Sequence, residues 1–138
     1  MTPAGEQYPF VVIDPVAGPA GQMPYLPLTL SLGGKSLAVS GLLDTGAAIN
    51  VLPYSTGTQL GAVWEQQMTP VRLSGNLTGT EARVLVLHAV IGKFAPVRLA
   101  FAWAQSDSLP VILGQMNFFL EFDVCVYRSR SMFEVRPK

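Results

Sequence analysis

The sequence predicts a single all-β domain. Short apolar stretches recur along the chain, glycine or proline lies in nearly every gap between them, and only one segment has helical spacing. A chain of 138 residues is long enough to bury one core and too short for two lobes of ordinary size. We therefore expect one domain built mainly of strands.

The predicted strands begin with a hairpin. Residues 26–32 alternate apolar with polar or proline residues, Gly33 and Gly34 form the turn, and residues 36–40 resume the extended chain. Further strands are predicted at residues 49–52, 71–73, 83–91, 96–104, 110–113, 122–127 and 131–135.

The remaining segments are a helix and an N-terminal arm. Residues 114–121 are predicted to form the only helix, with Met116, Phe119 and Leu120 on one face. Residues 1–25, rich in proline, are expected to be an extended arm with one short strand at residues 10–13, and residues 26–138 the folded domain.

Composition narrows the function classes. Charged residues make up 13% of the chain, against roughly 25% in an average soluble domain. Nine basic and nine acidic residues give no net charge, so we expect neither nucleic acid nor an anionic membrane as a partner. A surface with so little charge predicts that a partner chain covers part of it.

The sequence shows no targeting or metal-binding pattern. The N-terminus lacks the basic and apolar regions of a secretory signal, and no apolar stretch approaches the roughly 20 residues of a membrane span. Cys125 and His88 are each the only residue of their type, which leaves no intrachain disulfide and no ligand spacing for a metal. We expect a cytoplasmic chain without metal or cofactor, and an excised domain of a longer protein would look the same.

Two apolar runs end in unusual turns. Residues 39–43 lead into Asp44-Thr45-Gly46-Ala47, and residues 111–113 lead into Gly114 with no carboxylate. The aspartate segment occurs once. Asp and Gly also form ordinary surface turns, but the apolar run before Asp44 indicates a buried strand.

These segments resemble the retropepsin family, the single-lobe aspartic proteases of retroviruses and their bacterial relatives. The resemblance extends from about Pro27 to Val135. It implies a single-lobe, retropepsin-like closed β-barrel or sheet with one short C-terminal helix, and an aspartic endopeptidase. Because the chemistry needs two carboxylates and each chain has one Asp44, it also implies a homodimer acting on a peptide or protein substrate.

The resemblance assigns catalytic roles to three residues. The two Asp44 carboxylates would share one proton and activate a water between them. Thr45 would hydrogen-bond across the dimer axis, and the N–H of Gly46 would hold the Asp44 carboxylate in place.

The resemblance also assigns the substrate cleft. Its expected residues are Ala47, Ala48 and Ile49, a glycine-flanked lid at residues 73–79 that includes Leu73, Ser74, Gly75, Asn76 and Leu77, and Ile112. Many retroviral members carry a charged pair where this chain has Ala48 and Gln115. We therefore expect a more apolar cleft that grips peptide less strongly.

Some alternatives stay open at this point. The C-terminal strands could interleave with those of a second chain, as in retropepsins, or could close within one chain. The fold could also serve as a non-catalytic dimerisation or peptide-binding module, or as a small β-barrel that binds a ligand.

Overall fold

The computed structural model describes residues 4–138 and consists mainly of strands. The strands are Glu6–Pro9 (β1), Val11–Val12 (β2), Gln22–Met23 (β3), Tyr25–Leu32 (β4), Lys35–Leu43 (β5), Asn50–Leu52 (β6), Ala82–Val90 (β7), Val97–Ala104 (β8), Val111–Leu113 (β9), Phe122–Tyr127 (β10) and Met132–Pro137 (β11). The α-helices are Tyr54–Gln59 (α1) and Phe118–Glu121 (α2). The predicted all-β class is confirmed. In the part of the chain that the structure describes, no helix is long and apolar enough to cross a membrane.

Six strands close into a barrel in the order β4-β5-β9-β6-β8-β7. Its first two strands form the predicted antiparallel hairpin. The alternation in β4 turns Leu26, Leu28 and Leu30 into the core, where all three are buried, because successive side chains of a strand point to opposite faces.

The two apolar runs noted in the sequence lie side by side. Strand β5 pairs with β9 in parallel, with Leu42 opposite Ile112 and Leu43 opposite Leu113. Parallel pairing brings the ends of both strands to the same edge of the barrel. Asp44 and Gly114, which follow these strands, are therefore neighbours.

A second sheet joins the two ends of the chain. Its order is β1-β11-β10, so β11 has strands of its own chain on both sides. The Tyr8 ring of β1 stacks on Phe133 of β11 at 5.5 Å between centroids. Burial, together with a hydrogen bond from the Tyr8 hydroxyl to Glu6, raises the pKa of Tyr8 to about 12.

The N-terminal arm predicted for residues 1–25 begins with three residues outside the described part. Strand β1 was not predicted, and β2 falls within the strand expected at residues 10–13. The pattern of apolar residues does not indicate β1, because residues 6–9 form a strand by pairing with the distant β11.

The predicted helix at 114–121 was too long. It begins only at Phe118, because the N–H groups of Gln115 and Met116 donate to the carbonyls of Ala47 and Ala48 and hold the chain extended. The expected apolar face was also wrong, since Met116 and Leu120 are each 56% exposed.

Two further elements differ from the predictions. Helix α1 was missed because Ser, Thr and Gly at its centre are weak helix formers. Its Gly57 lies against the Trp103 ring, where a larger residue would clash. The strand predicted at 71–73 is absent, although the Val71 N–H still donates to the Ala82 carbonyl of β7.

Candidate active site

The Asp44 loop is built by three hydrogen bonds. The Asp44 N–H donates to the Leu113 carbonyl at 3.0 Å, which continues the pairing of β5 with β9 past the last strand residue. The Ala47 N–H donates to the Asp44 carbonyl at 3.1 Å and closes the turn. The Gly46 N–H donates to Oδ1 of Asp44 at 2.9 Å, so the loop itself orients the carboxylate.

The Asp44 carboxylate lies at a cavity of about 470 Å³. Eleven of the twelve residues expected at the site line this cavity: Asp44, Gly46, Ala47, Ala48, Ile49, Leu73, Ser74, Gly75, Asn76, Leu77 and Ile112. Segments far apart in the sequence therefore surround one space. Apart from Asp44, the only ionisable side chain among the lining residues belongs to Arg72.

Thr45 is the expected residue that does not line the cavity. It is exposed, and its carbonyl accepts a hydrogen bond of 2.8 Å from the side-chain amide of Gln115. Within residues 4–138 its hydroxyl has no hydrogen-bond partner. Gln115 thus ties the Asp44 loop to the segment after β9.

We call residues 44–50 together with 113–117 the floor of the cavity. The two segments of the floor lie closest together at Gly114. A Cβ atom built on Gly114 would lie 2.5 Å from the Ile49 carbonyl oxygen and 2.7 Å from that of Ala47. Contacts this short with backbone atoms exclude any side chain, so glycine is required there for packing.

Asn50 joins the two halves of the floor. It is fully buried, and its Oδ1 accepts hydrogen bonds from the N–H groups of Gly114 at 2.8 Å and Phe118 at 3.4 Å. Its amide donates to the Ala100 carbonyl at 3.0 Å and to Oδ1 of Asn117 at 3.2 Å. Every polar atom of this buried side chain therefore has a partner.

The 71–79 segment forms another side of the cavity. Gly75–Leu77 makes one 3-10 turn, and Leu73 is buried while Leu77 packs against a small apolar cluster. The buried members of that cluster are Val51, Leu73, Ala82, Ala102, Ala104 and Leu109. In the described part of the chain, every hydrogen bond made by residues 72–79 stays within residues 72–80.

Sequence reasoning missed six residues that line the cavity: Val51, Val71, Arg72, Ser108, Leu109 and Pro110. Val51, Val71 and Arg72 adjoin predicted site residues and could have been found by extending those segments. Ser108, Leu109 and Pro110 form the approach to β9, and no motif in the sequence marks them.

Comparison with solved structures found proteins of the same fold. A retropepsin-like aspartic protease from Rickettsia conorii matches with a TM-score of 0.62 and 16% sequence identity, over 99% of this chain and 97% of that one. EIAV protease, solved in complex with the inhibitor HBY-793, matches with a TM-score of 0.51 and 21% identity, over 67% of this chain and 82% of that one. No protein-family model matches the sequence, and no curated protein matches it significantly.

At these identities the likeness shows the fold. The chain has the single-lobe fold of retropepsin-like aspartic proteases, as the resemblance of its motifs implied. What the chain does must be argued from the residues at its cavity.

Proposed function

We propose that the chain is an aspartic endopeptidase that works as a homodimer, with one Asp44 from each copy. The observation that carries the proposal is the Asp44 carboxylate, oriented by the Gly46 N–H and facing a cavity in which Arg72 is the only other ionisable lining residue. One carboxylate cannot act as acid and base at the same time, so a second copy has to supply the other.

In the proposed reaction, the two Asp44 side chains hold one proton between them. Two like charges about 3 Å apart cannot both be ionised, so the pair titrates as a unit. The ionised carboxylate takes a proton from a water held by both, and the water oxygen attacks the scissile carbonyl carbon. The protonated carboxylate polarises the carbonyl oxygen, and a proton then passes to the leaving nitrogen as the C–N bond breaks.

The surrounding residues support these steps. The Gly46 N–H holds Oδ1 of the Asp44 carboxylate, and the Thr45 hydroxyl, unpaired within residues 4–138, is available to the partner's loop. Fixing the distance between the carboxylates in advance lowers the entropy lost in reaching the transition state. The 71–79 segment serves as a lid that excludes water from the bound peptide.

The cavity also indicates the substrate. Ala47, Ala48 and Ile49 offer no charged side chain to the peptide backbone. We expect cleavage within extended peptides that carry apolar side chains on both sides of the cut.

Replacing Asp44 tests the catalytic role. Asp44→Asn should abolish cleavage of apolar peptides between about pH 3 and pH 7, because the amide cannot accept the proton of the water. Cleavage should be measured by mass spectrometry of a peptide library, and folding by circular dichroism. Asp14→Asn is the matched control, since its side chain lies outside the cavity and keeps an acceptor for the Val16 N–H.

The rival functions predict different outcomes. A non-catalytic module with this fold would bind apolar peptides equally well as the wild type and as the Asp44→Asn variant, and would cleave none. A wild-type chain that cleaves nothing over this pH range, even at high concentration, would contradict the proposal.

A further inference from the structure

The cavity of each chain contains one positively charged side chain. Arg72 lines it at the start of the 71–79 segment and is exposed, and Asp44 is the only other ionisable residue among those that line the cavity. A guanidinium has five N–H donors in one plane, accepts no hydrogen bond and stays charged at every pH at which a protein is folded. Such a group favours a negatively charged ligand beside it.

The guanidinium of Arg72 has no partner of its own within residues 4–138. It makes no salt bridge there, so the Asp44 carboxylate lies more than 4.0 Å away, although both groups line the same cavity. Arg83 on the neighbouring β7, in contrast, donates to the Trp64 carbonyl at 2.8 Å and covers the Trp64 ring. The donors of Arg72 are therefore free to bind a ligand that enters the cavity.

The backbone on both sides of Arg72 is held in place. The Val71 N–H donates to the Ala82 carbonyl of β7 at 3.0 Å. Leu73, the next residue, is buried in the small apolar cluster beside the cavity. Because its two neighbours are fixed, the entropy that Arg72 loses on binding a charged group is mainly that of its own side chain.

The dimer proposed above contains this charge twice. Its two Asp44 side chains share one proton and carry one negative charge, whereas its two Arg72 side chains carry two positive charges. The cleft therefore has one positive charge in excess. A substrate carboxylate neutralises this excess, and a substrate lysine or arginine at the same place is repelled.

We propose that Arg72 binds a carboxylate of the substrate, so that the peptidase selects apolar side chains at the cut together with an Asp or Glu near it. This inference rests on the proposed function and names the substrate class of the same site. The planar guanidinium can donate two parallel N–H bonds to one carboxylate, which gives the pair a defined direction. Since Arg72 belongs to the 71–79 segment, binding the acidic side chain also draws the lid onto the peptide.

A carboxylate in the cavity can belong to an acidic side chain or to the C-terminus of a peptide. The twofold axis between the Asp44 side chains puts one Arg72 on each side of the scissile bond. An endopeptidase substrate continues past the cut in both directions, so its side chains reach both arginines. We therefore assign the carboxylate to a side chain.

Paired peptides test the assignment. An apolar peptide is made with Glu or Gln at each of its positions in turn, with both termini blocked so that Glu is the only carboxylate. At about pH 6 this Glu is ionised, and wild type should cleave at least one Glu peptide about fivefold faster, in kcat/KM, than its Gln counterpart. Arg72→Gln should cleave the two equally. A preference that survives in Arg72→Gln, or none in wild type, would overturn the inference.

Charge reversal distinguishes binding from a merely structural role. Arg72→Glu should prefer Lys to Gln at the position where wild type prefers Glu, and a variant that still prefers Glu would contradict the proposal. Arg98→Gln is the matched control. Arg98 is exposed, makes no salt bridge within the described part of the chain and does not line the cavity. Loss of the Glu preference in Arg98→Gln as well would show a general charge effect and overturn the assignment to Arg72.

Peptides with a free C-terminus distinguish the two sources of the carboxylate. They should show the same preference for Glu as the blocked peptides. If Arg72→Gln lowers cleavage only of peptides with a free terminus, the guanidinium binds the chain end and the assignment to a side chain is wrong.

Binding measurements separate this inference from the catalytic proposal. Asp44→Asn should not cleave, and it can be titrated with fluorescent forms of the same peptides. It should bind one Glu peptide about fivefold more tightly than its Gln counterpart, and adding Arg72→Gln should remove the difference. If wild type cleaves nothing but this difference in binding is found, the enzyme proposal fails and the Arg72 site stands. If peptides are cleaved without any difference between Glu and Gln, the Arg72 site fails and the enzyme proposal stands.

Discussion

The floor of the cavity and the 71–79 segment differ in where their hydrogen bonds go. Several hydrogen bonds of the floor join residues far apart in the sequence, such as Asn50 to Gly114 and Gln115 to Thr45. Bonds of residues 72–79 stay within residues 72–80, and five of the seven residues from 73 to 79 are exposed. The floor is therefore fixed by the whole fold, whereas the 71–79 segment is held mainly by Leu73, Leu77 and its two ends.

This difference fits the roles proposed for the two regions, catalysis at the floor and lid opening in the 71–79 segment. A carboxylate that shares a proton with its twin needs a fixed position, because small displacements weaken the shared hydrogen bond. A lid must open for each substrate, and a segment with few outside bonds does so at low cost.

The largest difference in stability is expected between an asparagine replacement in the floor and one in the 71–79 segment. Asn50→Ala leaves the buried Gly114 N–H without its partner, removes the bond to the Ala100 carbonyl, and should lower the free energy of unfolding by about 4 kcal/mol. Asn76→Ala, on an exposed part of the 71–79 segment, should change it by less than about 0.5 kcal/mol. Urea denaturation of both variants gives the comparison, and similar losses would contradict it.

Glycine replacements in the same two regions should show a smaller difference in stability. Gly114→Ala forces a Cβ against the Ile49 and Ala47 carbonyls and should cost about 3 kcal/mol. Gly75→Ala meets no atom within 4 Å, so only its φ of 64° opposes the change, at about 1 kcal/mol. Thermal unfolding would measure both, and a Gly75 variant as unstable as the Gly114 variant would show that the segment is packed like the floor.

The smallest effect on stability, and the one that bears on function, is expected at Leu77. Leu77→Ala removes the side chain that packs the 71–79 segment onto its apolar cluster and should cost about 1 kcal/mol. Weaker closure should raise KM several-fold and change kcat less, as measured with a cleaved peptide. Leu120→Ala is the control, because Leu120 is 56% exposed and outside the cavity. Equal KM values for the two variants would argue against a lid.

Much of this site could be predicted because its residues are contiguous. Asp44 to Ile49 form one turn after one strand, and glycine and aspartate have strong local preferences. The 71–79 segment was recognisable by its glycines, although the strand expected at residues 71–73 did not form. Its pairing with β7 is limited to the isolated antiparallel bridge between Pro70 and Arg83.

Other features had no local signal. Nothing near Asn50 indicates that its amide will bond to Ala100 and Asn117, because those contacts form only when β6 lies between β8 and β9. The helix expected at residues 114–121 shortened for a similar reason, since the floor takes the N–H groups of Gln115 and Met116. At these two residues, hydrogen bonds to a distant part of the chain override the local helical pattern.

The sequence by itself determined the all-β class, the single Asp44 turn and the second apolar run that ends in Gly114, because these depend on periodicity and on turn preferences of neighbouring residues. Only the tertiary structure decided that β5 and β9 lie in parallel with Asp44 beside Gly114, and that β11 is enclosed by its own chain while β10 keeps an open edge. Pairing between distant strands is decided by the global packing of the core, which no local window of sequence contains.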